Sequence, residues 1–464
     1  MSGRGTATEI VADLWRFAGG DPAALECLQL TGSDPVLPSS FRIGAAAQAS
    51  IAAAGLAAAE LGHRAGAARQ EVGVDMRHAA AEFRSEHYLA IDGKAESFSD
   101  PLFGTYRTGD GRYVRLHMNF AHHRANVLHF LACAPTRASV EQALSSWEAV
   151  AFETAAYEHG CVVAAMRSPD EWAQHPQAAA LASLPVVRID KIGDAPPRPL
   201  ARGERPLSGL RTLDLTRIIA GPVAGRALAA HGASVMRVAA PGLPFIDWLV
   251  KDTGRGKLSA YADLTDADGR AALARLIADA DIFLQAYRPG ALAARGFGVS
   301  DVTTLRPGII YGSLSAYGDV GPWAARRGFD SLVQTATGFN AAEAEAAGVP
   351  GPKELPCQAL DHATGYLLAF GVTMARLRQA SEGGSFLVRV SLASTGRWIW
   401  NLGRVKDGFS CRIPSREDVT DLLEDSVSPF GLMRGVRHAA QLSATPARWT
   451  RPSVPLGTHP PVWP

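Results

Sequence analysis

The chain has 464 residues, 47% of them hydrophobic and 20% charged, which is enough apolar material for a large core spread over two or three domains. Lysine plus arginine total 46 against 45 for aspartate plus glutamate, so no overall basic field exists to attract nucleic acid. Five scattered cysteines (Cys27, Cys133, Cys161, Cys357, Cys411) form no C-x-x-C pair, which argues against a disulfide framework or a zinc site and fits a reducing cytoplasm.

The opening MSGRGTATEIVADLWRFAGG carries acids inside its apolar run and has no secretory core, and no later segment reads as a membrane span. AAAQASIAAAGLAAAEL, 45–61, predicts a packed helix whose small side chains allow close contact. FGTYRTGDGRYVRLHMN, 103–119, predicts a hairpin around a Gly-Asp-Gly turn. His122 and His123 in NFAHHRAN read as a solvated helix start, since no further ligand lies at a metal-binding spacing. SVEQALSSWEAVAFETAAYEHG and SPDEWAQHP read as helical and complete a smaller α+β module.

DAPPRPLARGERPLSGL, 194–210, breaks every hydrophobic period and predicts a linker. A β-α-β unit follows: the strand RTLDL, the turn TRIIAGP, the helix VAGRALAAHG stopped by Gly232, and the strand ASVMRVAAP. GRGK, 254–257, is an incomplete phosphate loop and reads as a flexible basic turn. A helix from about Gly269 runs into another strand, and PGIIYGSLSAYG adds one more. Alternating strands and helices predict an open, Rossmann-like α/β parallel sheet that takes ligands at the carboxyl ends of its strands. The expected division is a small α+β domain over 1–193, a linker over 194–209, the α/β domain over 210–400, and a C-terminal extension over 401–464.

Two segments echo one another. Matching Val390 of VRVSLAS to Val74 of VGVDMRHAA sets an offset of 316 residues, and each segment follows a helix rich in small or apolar residues. At that offset Asp361 corresponds to Ala45, so the echo lacks the acid. Asp361 opens the run HATGYLLAFGVTMARLR, which carries no other acid and no Lys or Arg before Arg376, and the helix dipole there favours its ionised form by ~0.3–1 kcal/mol. It reads either as an N-cap or as a nucleophile. Ala363 and Gly365 beside it leave room for a bulky ligand or serve close helix packing. His362 is adjacent in sequence and so does not face Asp361. The chain carries no G-x-G-x-x-G after its first parallel strand, no P-loop, no G-x-S-x-G and no H-E-x-x-H.

LDLTRIIAGPVAGRALAAHGASVMRVAAPG resembles the family III CoA-transferases, the group of L-carnitine dehydratase and the bile acid-inducible protein F. DIFLQAYRPGALAARGFG, LRPGIIYGSLSAYGDVGPWAARRGFDSLVQ and ALDHATGYLLAFGV agree in the same order. FGTYRTGDGRYVRLH and SPDEWAQHP resemble the family's small domain, which here stands before the large one, so the order is permuted. The resemblance implies an acyl-CoA and a small carboxylic acid as substrates, no prosthetic group, and an interlocked homodimer. It implies Asp361 as nucleophile and Arg217, Ile218, Ala220, Tyr287, Arg327 and Phe329 as the CoA-holding residues. Departures from the pattern are Ala239 and Ala240 in place of an acid-arginine pair, Ala286 for asparagine, and Thr265 for lysine. Related racemases use the same aspartate opposite a histidine in a G-H-D sequence; this chain has Gly328-Phe329-Asp330. An inactive CoA-binding relative is the third expectation, supported by Ala45 and the lost basic positions.

Overall fold

The computed structural model describes residues 5–96 and 99–464. The N-terminal segment runs α1 (Ala7–Phe17), β1 (Leu28–Thr31), α2 (Ile43–Arg64), β2 (Val72–Asp75), α3 (Met76–Glu82), α4 (Ser85–Tyr88) and β3 (Ala90–Ile91). The strands β1 and β2 pair in parallel, as a strand-helix-strand crossover requires. The alanine-rich α2 is buried from Ile43 to Gly62. By length and composition it could cross a bilayer, but protein covers it on every side. Small side chains let it lie directly on a second long helix, Ala359–Glu382.

A smaller module follows, with β4 (Gly104–Arg107), β5 (Tyr113–Leu116), α5 (Ala121–Leu131), α6 (Arg137–Leu144), α7 (Ala149–Glu158), β6 (Val163–Ala165), α8 (Pro169–Ala173) and α9 (Pro176–Leu181). The antiparallel β4-β5-β6 sheet and its helices close a separate core around Tyr106, Val114, Leu116, Leu144 and Phe152. The expected hairpin is β4-β5. The helical stretch expected over 139–160 is broken between α6 and α7, because the hairpin turn presses there: a Cβ on Gly109 would sit 2.2 Å from the Ser145 carbonyl oxygen.

The large sheet takes β7 (Arg188–Gly193), β8 (Arg211–Leu215), β9 (Ser234–Ala239), β10 (Lys257–Tyr261), β11 (Ile282–Gln285), β12 (Ile310–Ser315) and β13 (Ser385–Ser391). The helices between them are α10 (Ala220–Ala230), α11 (Asp247–Thr253), α12 (Ala267–Ala278), α13 (Val299–Leu305), α14 (Asp330–Ala336), α15 (Phe339–Ala347) and α16 (Ala359–Glu382), and α17 (Leu392–Asn401) follows β13. The strand order is β10-β9-β8-β11-β12-β13-β7, with every pair parallel except β13-β7. Chain order reverses direction between β8 and β11, so their carboxyl ends part and leave a crevice. Two apolar layers cover the two faces: Leu213, Met236, Leu273 and Phe283 lie in one, and α10 and α16 supply the other.

Two expectations change here. Edge strand β7 lies within 188–193, so the large sheet starts before the proline-rich linker. GRGK is no flexible turn. Lys257 is buried at the start of β10, its Nζ donating to Asp214 Oδ2 at 2.7 Å and to the Pro222 carbonyl at 2.7 Å. An inward-facing aspartate on β8, two strands away, converts a surface-looking lysine into a core ion pair.

The last segment, expected as an extension, is sewn into the N-terminal one. After the hairpin β14 (Leu423–Ser428) and β15 (Gly431–Val436) comes β16 (Gln441–Leu442); β15 pairs with β3, and β16 pairs with β2. Beneath these strands Arg226 of α10 is wholly buried, its Nη1 donating to Asp252 Oδ2 at 2.8 Å and Ser85 Oγ at 3.1 Å, with Glu82 at 3.8 Å. Glu82 also accepts from the Tyr366 hydroxyl of α16. Glu82 further accepts the Ala439 N–H of the tail, so the N-terminal segment, the large sheet and the tail share one charged cluster.

Candidate active site

The crevice at the β8/β11 reversal opens into a cavity of about 320 Å³. The loop after β8 brings Arg217, Ile218 and Ala220, and the loop after β11 brings Tyr287. The segment before α14 brings Arg327 and Phe329, and the first turn of α16 brings Asp361. All seven residues expected at the site line this one space. A neighbouring cavity of about 260 Å³ beyond Tyr287 offers no comparable acid, since its Asp319 is bound by Arg188 and Arg389.

Asp361 is the third residue of α16 and not its cap, because the helix opens at Ala359 with Gln358 in the capping position. Asp330 serves the helix end instead, its Oδ2 accepting the Asp361 N–H at 2.8 Å while Gln334 holds its other oxygen. Among the described residues no hydrogen bond reaches the Asp361 carboxylate, which remains directed to the cavity. Burial pushes its pKa well above the usual carboxylate range, and the charges of Asp330 and Glu86 push it further. The dipole expected to keep it ionised loses this contest. Its ~0.3–1 kcal/mol offsets less than one pKa unit, which is worth about 1.36 kcal/mol.

Two side chains support this turn from outside the cavity. His362 is fully buried and turns away from Asp361, its Nε2 lying 3.0 Å from Glu86 Oε2 of α4. Burial alone would raise Glu86, but the charge and hydrogen bond of His362 outweigh it and its pKa falls to about 2. Gly365 settles the question left open by the small residues. A Cβ there would lie 2.4 Å from the Ala220 carbonyl oxygen and 2.8 Å from Val223 Cβ, so glycine serves the crossing of α16 with α10 rather than room for a ligand.

The histidines differ from expectation. His122 is exposed, but His123 is buried and lines the cavity. Its Nδ1 lies 3.2 Å from Nδ1 of His117, and the His117 ring stacks on Phe329 with centroids 3.6 Å apart and planes 9° from parallel. Burial, followed by the charges of His122, Arg327 and Arg217, drives His123 down to about 3, so the ring is neutral at physiological pH. An imidazole therefore reaches the cavity beside the position where Phe329 stands in place of histidine.

Four guanidinium groups face the cavity. Arg217 donates to the Pro244 carbonyl at 3.0 Å and lies 5.7 Å from the Tyr287 ring centroid; Arg326 pairs with Glu153 at 3.1 Å. Arg288 and Arg327 have no carboxylate partner among the described residues and remain available to an anion. Ile218 holds φ at 76°, a left-handed conformation that a β-branched residue adopts only under constraint. The strained residue lies in the loop expected to hold the nucleotide. Ala239, Ala240 and Thr265 line an adjoining apolar cavity of about 290 Å³, and Ala286 borders the main one, so the four departures gather along one path.

Residues 207–422 match the model of CoA-transferase family III. A probable fatty acyl-CoA transferase, Rv3272 of Mycobacterium tuberculosis, is 34% identical over 207 residues, covering 42% of this chain and 52% of that protein. Succinyl-CoA:glutarate CoA-transferase of Homo sapiens is 35% identical over 196 residues, covering 39% and 44%. The crystal structure of the M. tuberculosis protein superposes with a TM-score of 0.38, at 34% identity over 42% of this chain and 56% of that one. The chain spans about a third to half the length of the curated relatives it matches.

Proposed function

We propose that the protein moves CoA between an acyl-CoA and a free carboxylic acid, with Asp361 as nucleophile. The observation that carries this reading is a carboxylate without hydrogen-bond partners among the described residues, set in a cavity with two unpaired guanidinium groups at the crevice of a doubly wound sheet. Ionised Asp361 attacks the thioester carbonyl carbon, the C–S bond breaks, and CoA leaves as thiolate from an acyl-aspartyl anhydride. The thiolate then attacks the aspartyl carbonyl carbon and releases the donor acid, leaving an aspartyl-CoA thioester. An acceptor carboxylate reverses both steps. Arg288 and Arg327 suit the phosphates of CoA, and the apolar walls past Ala239 and Ala240 suit its adenine.

No prosthetic group is needed, because the carboxylate supplies the covalent chemistry. The names of relatives make succinyl-CoA and glutarate the first donor and acceptor to try. Cytoplasmic location and a soluble, small-molecule role accord with the five free thiols. Incubation with acyl-CoAs, trapping with hydroxylamine and peptide mass mapping test the reading: modification at Asp361 is expected, and CoA binding that never labels Asp361 refutes it. A second reading, proton exchange at the α-carbon of an acyl-CoA, is raised by the His123 imidazole, which lines the same cavity as Asp361, although burial leaves that ring a weak base. Uptake of solvent deuterium at that carbon without transfer would select it.

A further inference from the structure

The echo detected at an offset of 316 residues is a structural repeat. Moved by 316, α2 begins at Ala359 and lies within α16, β2 falls on the last four residues of β13, and α3 falls within α17. The details agree as well as the boundaries. Asp75 caps α3 by accepting the His78 N–H; its counterpart Ser391 caps α17 by accepting the Ser394 N–H, and both pairs are 316 apart. Gly55 and Gly371 are counterparts, and a Cβ on either would meet counterpart valines, Val72 Cγ1 at 3.3 Å and Val388 Cγ1 at 2.7 Å. Asp34 accepts the Gly44 and Ala45 N–H groups at the start of α2, as Asp330 accepts those of their counterparts Leu360 and Asp361 at the start of α16. In the strands, Leu30 pairs with Val74 as Leu314 pairs with Val390.

The second copy stops short of a site. Gly32, Asp34 and Met76 line a shallow hollow where Ala316 and Leu392 line the Asp361 cavity, but Ala45 stands for the nucleophile. No counterpart of the β8-α10 loop, with its Arg217 and Ile218, exists in its three-stranded sheet β1-β2-β16. Yet the copy is joined to the working site. The helices α2 and α16 lie against each other along their buried lengths, and the same segment continues into Glu82 and Glu86, which bind Tyr366 and His362 of α16.

We infer that residues 28–88 are a built-in partner: a degenerate second copy of the catalytic helix unit that has lost its own chemistry and packs along α16 within the same chain. One chain then holds one complete site and needs no second chain to support Asp361. The inference concerns assembly and stands apart from the reaction assigned to that site. Two measurements test it on the intact 464-residue chain. Light scattering and native mass spectrometry are expected to give a particle of 49.0 kDa over a hundredfold concentration range. A stable species of about twice that mass overturns the built-in partner whatever the activity. Mixing Glu86→Gln chains with Asp361→Asn chains is expected to restore no Asp361 labelling beyond that of the Glu86→Gln chains alone. Restoration would mean that the N-terminal segment of one chain supports the helix of another, and would overturn the inference.

Discussion

Replacing Gly365 by alanine sets two opposing effects against each other at the crossing of α16 and α10. Helix propensity favours the change by ~1 kcal/mol, because glycine in a helix interior loses more backbone freedom. Packing opposes it. The new Cβ would lie 2.4 Å from the Ala220 carbonyl oxygen, so α10 must retreat by about 1 Å to reach ordinary contact, and the neighbour is backbone that cannot rotate aside. Overpacking of this kind costs ~1–3 kcal/mol. The expected net effect is a loss of up to about 2 kcal/mol, read as a lower denaturant midpoint at unchanged slope. Since Ala220 closes the loop carrying Arg217 and Ile218, calorimetry is also expected to show weaker CoA binding. A G365A protein that is more stable by about the propensity term, with unaltered CoA affinity, would refute the reasoning.

The other predictions concern charge and strain. Asp361→Asn is expected to abolish labelling by acyl-CoA while leaving the fold intact by circular dichroism. Because burial and Asp330 raise the Asp361 pKa, labelling of the native protein should rise with pH above the usual carboxylate range, and Asp330→Asn should move that rise to lower pH. The same raised pKa favours the folded state in acid, and this contribution is lost as pH rises through the folded value. Glu86→Gln breaks a buried pair with His362 and is expected to destabilise the protein by about 3–5 kcal/mol in thermal denaturation at neutral pH. The stabilising contribution of Glu86 is present above the unfolded carboxylate range and is lost only as pH falls toward about 2. Ile218→Gly relieves a left-handed strain of roughly 1–3 kcal/mol, so thermal stability should rise while CoA dissociation constants increase.

The parallel strands β8, β9, β11 and β12 were legible because each is a short apolar run between turn residues, and the cavity residues were legible because they follow those strands directly. Edge strand β7 was not, since its residues are mostly half-exposed and carry no alternation. Strand β10 was masked by GRGK, whose lysine looks like surface until Asp214 is known to face it. The supporting residues of the site were the least visible. Glu86 meets His362 across 276 residues and Asp330 meets the Asp361 backbone across 31, and such pairs leave no local period or spacing to read. His123 was misjudged because a helix start is usually wet, and only the fold shows the Phe329 ring closing over its neighbour.

The guanidinium of Arg226 touches elements from three distant stretches of chain, and it has consequences for how the molecule melts. Moving any one of those stretches would leave an ion facing hydrocarbon before water could reach it, so no partly opened form has low energy. Scanning calorimetry should accordingly show the N-terminal segment, the large sheet and the tail melting together in one endotherm, apart from the small β4-β5-β6 module with its own core.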